Sequence, residues 1–141
     1  MASLRYGLFK DLGDEPVYRG VKASSTWDAG AFLKLDSGYL TACSAGDVPY
    51  GVARDRMTTA MSPATSGEAT AGVFVGPNNH YRYPPDAGTV AITDVGKKMD
   101  VGGARSVNID ASTDSCLICI DVDTTNNELI VQLIPAAAAG A

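Results

Sequence analysis

The stretch SCLICIDVDTTNNELIVQLIP, residues 115–135, constrains the chain more than any other. Two apolar runs flank Asp123-Thr124-Thr125-Asn126-Asn127, and Asn and Asp favour turns because they tolerate positive φ and bond their own backbone. The pattern predicts a β-hairpin. In its second arm Leu129, Val131 and Leu133 share one face and Ile130, Gln132 and Ile134 the other, because side chains alternate along a strand. The first arm is apolar on both faces from Cys116 to Ile120. A hairpin greasy on two sides needs cover on two sides, which places it at the centre of a sandwich or barrel rather than at an open edge.

The rest of the chain suits that setting. At 141 residues it fits one domain large enough to hold together without disulfides or metal. No window keeps a period near 3.6 for three turns, and 15 Gly with 7 Pro point to short strands and many turns. Residues 17–23 read as a strand, and 31–42 as a second hairpin, FLKL and YLTA joined by a three-residue loop Asp36-Ser37-Gly38 with a bulge. Residues 48–54 read as a strand in which Pro49 marks an edge or bulge. Residues 55–70 form a long surface loop in which Met57 and Met61 are spaced to close one helical turn before Pro63. Further strands are expected at 72–76, 81–83, 89–93, 97–101 and 106–109, with a break at Gly102-Gly103. The expected fold is all-β, a small antiparallel β-barrel or sandwich with long loops. Its parts are an N-terminal arm or edge strand (1–16), a single β domain (17–135) and a flexible Ala-rich tail (136–141).

Net charge of −5 and a pI near 4.6 argue against nucleic-acid or anionic-membrane partners, which want clustered Lys and Arg. The excess is uneven: residues 1–58 hold seven basic and seven acidic groups, and 59–141 hold four and nine. No apolar run approaches the ~20 residues of a membrane helix. The start, MASLRYGLFKD, lacks the apolar core of a signal peptide, so synthesis in a cytoplasm is expected. Three cysteines fit a reducing compartment.

Chemical motifs are sparse. Cys116-Leu117-Ile118-Cys119 has zinc or redox spacing, but on a strand residues three apart face opposite ways. Asp121 to Asn126 imitates the start of a calcium loop, yet Asn126 stands where that loop needs Gly and Gln132 where it needs Glu. His80, the only histidine, follows a turn and is expected to face solvent. No catalytic, cofactor or metal-binding residues are assigned. Trp27 is read as core packing or an interface anchor, and Tyr81-Arg82-Tyr83 as cross-strand packing or a small stacking platform.

The order of GDVPYGVARD, a Thr/Ser/Ala-rich stretch, Val73-Phe74-Val75, ITDVGKKMDV, Val107-Asn108-Ile109-Asp110-Ala111-Ser112 and DVDTTNNELIVQL resembles the head-decoration, or capsid cement, proteins of tailed bacteriophages. The resemblance covers roughly residues 17–134. It implies a small β-tulip-like protein on the outer capsid surface of a virion, a homotrimer that bridges and stabilises subunits of the major capsid protein. It supplies no site residues, because the shared glycines support turns. Leu4, Tyr6, Phe9, Trp27, Tyr81 and Tyr83 are the candidate capsid or oligomer contacts, with the charge-balanced first part meeting the shell and the acidic remainder facing solvent. Removing residues 1–12 is then expected to weaken shell binding without unfolding the domain. Two competing readings stand beside it. One is a virion-surface domain binding a host glycan or receptor through Trp27, Tyr81 and Tyr83. The other is a small hydrolase using paired carboxylates such as Asp94 and Asp100.

Overall fold

The computed structural model describes residues 6–134, so Leu4 and the 136–141 tail lie outside it. The described residues contain no α-helix. Their strands are β1 (Gly7–Lys10), β2 (Pro16–Gly20), β3 (Phe32–Asp36), β4 (Tyr39–Ala42), β5 (Gly51–Ala53), β6 (Thr70–Phe74), β7 (His80–Tyr83), β8 (Lys98–Gly103), β9 (Ser106–Asn108), β10 (Leu117–Asp123) and β11 (Glu128–Leu133). They form two antiparallel sheets, ordered β1-β7-β11-β10-β8-β9 and β2-β6-β5-β3-β4.

The hairpin β10–β11 occupies the middle of the six-stranded sheet, as its two-sided apolar pattern demands. Leu117, Cys119, Leu129, Val131 and Leu133 point into a core shared with Phe32, Val52 and Phe74 of the other sheet. Each such side chain contributes roughly 1.5–3 kcal/mol when fully buried. Pairing runs from Leu117↔Leu133 to Asp123↔Glu128, with a bulge at Ile120 where the register shifts. The turn is closed by Asp123, whose carboxylate accepts the Asn126 amide at 3.0 Å, and by Asn127 at φ 55°.

The five-stranded sheet is covered on both faces, and alternation explains how. Phe32, Val52 and Phe74 are cross-strand neighbours facing the shared core, whereas Leu33, Ala53 and Val73 face a second cluster with Val21, Trp27, Leu40 and Met57. A parallel bridge joins Val21 to Leu40, and the Lys22 amide donates to the Leu40 carbonyl at 2.9 Å. The outer strands β2 and β4 therefore meet, and the sheet curls around the second cluster. Two backbone bonds cross between sheets: Phe32 N donates to Ala104 O at 2.7 Å and Gly46 N to Val101 O at 3.0 Å.

Several sequence expectations need correction. The β3–β4 connection is a two-residue turn, because Asp36 pairs with Tyr39 and Ser37 and Gly38 take φ 52° and 89°, the signs of a type I′ turn. Pro49 precedes β5, which lies between β3 and β6 and is not an edge. Residues 89–93 form no strand; Ile92–Asp94 is a 3-10 turn, because the Asp94 carboxylate accepts the Ala91 amide at 2.8 Å and holds the backbone locally. Strand β8 runs through Gly102 and Gly103, where a Cβ on Gly102 would stand 2.7 Å from Asp86 Cβ. Met57 and Met61 share no helical turn: Met57 is buried beside Trp27 and Met61 is exposed.

Residues 7–10 are built into the sheet as its edge strand, paired with β7. Gly7 sits so close to Gly30 that a Cβ on either would fall about 2.5–2.6 Å from the other's Cα. Just after β1, Asp14 clasps the β6–β7 turn: its carboxylate accepts Asn78 N at 2.7 Å and Asn79 N at 2.8 Å, while Asn79 Oδ1 accepts Leu12 N at 2.8 Å. Removing residues 1–12 would strip an edge strand from a folded sheet, so that truncation does not separate binding from stability.

Candidate functional site

The candidate contact residues part company. Tyr81 and Tyr83 alternate on β7 and share one face, and that face is inward; both are wholly buried. Tyr83 stacks on Phe32 with ring centroids 4.3 Å apart and donates its hydroxyl to Gly30 O at 2.6 Å. Burial pushes both phenols well above the ordinary tyrosine range. Trp27 is 7% exposed, donates its indole N–H to Asp55 O at 2.9 Å and exchanges backbone bonds with Met57. A stacking platform needs open ring faces, so these three aromatics do not supply one. Tyr6 is half-buried against the shared core, with the Arg105 guanidinium 5.3 Å from its ring.

Phe9 is the exception among them. It is 47% exposed at the sheet edge, with the Arg82 guanidinium 4.3 Å from its ring centroid. Its neighbours Leu8 (41%) and Leu12 (43%) are exposed as well. The three line the β1 edge as an exposed apolar strip, Leu8 paired opposite Tyr81 on one face, Phe9 against Arg82 on the other, and Leu12 just past the strand. Arg82 in turn lies 4.0 Å from Glu128, which is buried in the outer face of β11. A second apolar projection is the 3-10 turn, where Ile92 is 71% exposed and Val95 40%. Its base is fixed by Asn127, which bonds Val90 N at 2.8 Å and Gly88 O at 3.1 Å.

Groups considered for chemistry are occupied structurally. Asp100 Oδ1 accepts Asp114 N at 3.0 Å and Ser115 N at 2.9 Å, and Asp94 caps its own turn and meets Lys97 at 3.5 Å. Both carboxylates therefore hold loops, and neither lines the open depression of about 360 Å³ beside Lys97, Lys98 and Ser112. His80 is half-buried at the start of β7, opposite Lys10. Cys116 and Cys119 both enter the shared core, because β10 begins at Leu117 and strand alternation does not reach Cys116. Burial pushes the Cys43 thiol up to about 12 and the Cys116 and Cys119 thiols up to about 11, so none carries thiolate at neutral pH. Among the described residues no group of three or more His, Cys, Asp or Glu is placed to hold a metal ion.

Leu8, Leu12, Ile92 and Val95 are exposed apolar residues that sequence reading did not single out. A leucine in a short strand reads as core, and only the position of β1 at an edge turns it outward. Comparison of the chain with protein-family models, curated proteins and solved structures returned no match.

Proposed function

We propose that this chain is a structural decoration protein of a tailed-phage capsid, which binds the outer surface of the assembled shell as a homotrimer and cements neighbouring major capsid subunits. The reading starts from the resemblance carried by GDVPYGVARD, ITDVGKKMDV and DVDTTNNELIVQL. The observation that carries it further is the exposed strip Leu8-Phe9-Leu12 along the β1 edge. Large apolar side chains exposed together at a sheet edge favour an interaction site, and aromatic residues such as Phe9 dominate binding energetics there. In this reading the two sheets close into a sandwich of the β-tulip kind, the curled five-stranded sheet forming its barrel-like half. Such a protein acts through stiffness and repeated contact: several modest contacts held by one oligomer add up to stable decoration. It requires no activated nucleophile.

The test adds purified protein to expanded, undecorated shells of the co-encoded major capsid protein and follows co-sedimentation, with cryo-electron microscopy of the decorated particles. Density on the outer lattice, and at least tenfold weaker decoration by the triple variant Leu8→Ser, Phe9→Ser, Leu12→Ser at unchanged circular dichroism, is the expected outcome. Wild-type protein that ignores shells would overturn the role; a triple variant that decorates normally would overturn the assignment of the surface.

A further inference from the structure

The loops covering the second cluster enclose a polar groove that the shell-binding reading does not use. One depression of about 350 Å³ lies against Thr26, Asp28 and Arg56, and another of about 450 Å³ against Ser24, Ser62 and Pro63. They share Thr26 and Thr59 in their walls, so they lie side by side along one groove. Each volume falls within the ~300–1,000 Å³ of small-ligand sites.

The walls are preformed. Trp27 and Met57 exchange backbone bonds of 3.0 and 2.8 Å across the floor, Ser24 N donates to Pro63 O at 2.9 Å, and Ser62 N donates to Thr58 O at 2.9 Å. Ser24 holds φ 61°, a left-handed conformation costly for a non-glycine residue and often found where a loop is shaped for binding. Hydroxyl-bearing residues line the groove: Ser24, Thr26, Thr58, Thr59 and Ser62. The Ser62 hydroxyl is shut away from solvent without a hydrogen-bond partner, a state that a χ1 rotation toward a bound ligand would relieve.

We infer that this groove binds a short saccharide. Hydroxyl side chains both donate and accept, which matches a ligand whose own groups do both. An oxyanion takes donors only and would meet the Asp28 carboxylate at the Arg56 end. A metal ion would find one carboxylate there, too few for a hard-cation site. For a sugar the same pair is complementary: Asp28, whose contact with Arg105 is a loose 3.8 Å, accepts from two vicinal hydroxyls, and Arg56 donates to a ring or glycosidic oxygen. Two adjoining depressions suit two or three sugar units. The groove and the β1 strip involve different residues, so this inference stands or falls apart from the proposed capsid role.

Maltotriose, chitotriose and sialyllactose, titrated to millimolar concentration into the ¹⁵N-labelled full chain, provide the probes, with inorganic phosphate as a fourth arm. At least one saccharide should give saturable amide shifts confined to residues 24–28 and 56–64. Asp28→Asn and Arg56→Gln, with unaltered spectra elsewhere, should each weaken that binding about tenfold, or ~1.4 kcal/mol. No saturable shift with any of the three sugars, shifts with phosphate alone, or saccharide shifts indifferent to both variants would overturn the inference.

Discussion

Asp14 shows how much one buried carboxylate can organise. Its oxygens accept two consecutive backbone amides and the Asn78 side-chain amide, and its own carbonyl accepts from Asn79 Nδ2 at 3.1 Å. Asp14→Ala would strand the buried Asn79 amide, at about 1–3 kcal/mol, and release the two more exposed Asn78 donors toward water. A loss of roughly 3 kcal/mol in urea unfolding is expected, and a loss below roughly 1 kcal/mol would mean that water replaces the carboxylate. The thiols make a second prediction. An unfolded cysteine ionises near 9.0, while the folded thiols stay protonated to about 11 or 12. Between those values the unfolded chain binds fewer protons than the native one, so stability is intact below pH 9 and falls as pH rises, by about 1.4 kcal/mol per unit for each thiol. The acid side has the opposite sign. Asp47 is held below the usual carboxylate range by the Ser44 amide and Lys34, and Asp36 by Lys22, so their contribution is present above the normal value and is lost as pH falls through the folded one. Chemical denaturation across pH should show both slopes, and slow alkylation of all three thiols at pH 8 should accelerate only on unfolding.

Among the elements, the β3–β4 hairpin offers a gain rather than a loss. Type I′ turns favour Asn-Gly because both central residues need positive φ, and Ser37 at φ 52° carries that strain without the preference of Asn. Ser37→Asn should raise the unfolding midpoint, by about 0.5 kcal/mol. An unchanged or lowered midpoint would point to a use for the Ser37 hydroxyl. The same hairpin marks where sequence legibility ends. Alternation and the Asp-Ser-Gly signal locate its two strands, but loop length depends on whether Asp36 pairs, which Tyr39 across the ladder decides. The central hairpin was legible in its two arms and its turn because apolar residues over both arms enforce the pairing, whereas the bulge at Ile120 and the inward turn of Cys116 ahead of β10 were not. The 3-10 turn was not: Thr89 to Thr93 has strand composition, and a single carboxylate at Asp94 diverts it. Site residues follow the same division. Period two correctly joins Tyr81 and Tyr83 on one face, yet which face turns inward is set by Phe32 on a strand far away in sequence. Phe9, Leu8 and Leu12 become a surface only because β1 ends the sheet.

For the whole molecule the question is whether two sheets with two clusters behave as one cooperative unit. Contacts between them are few but of kinds that resist separation: the Phe32–Tyr83 ring pair, the Tyr83–Gly30 hydrogen bond, the Gly7–Gly30 close approach and two backbone bonds from β3 and the β4–β5 loop. Phe32, Val52 and Phe74 cannot leave the shared core without exposing Tyr81, Tyr83 and Leu129 to water. Opening either sheet alone would therefore forfeit burial in both, which is the condition for all-or-none unfolding. The chain carries its own reporters. Trp27, the single tryptophan, belongs to the second cluster, whereas Tyr81 and Tyr83 belong to the shared core and far-UV circular dichroism averages over both sheets. Tryptophan fluorescence and circular dichroism should then give superimposable urea transitions. Gly30→Ala should shift both together by at least 2 kcal/mol, roughly, since a Cβ there collides with Gly7 and positive φ disfavours it. An early fluorescence transition that leaves most of the dichroism intact would show the curled sheet opening by itself, and would leave the six-stranded sheet as the only rigid platform for the β1 strip.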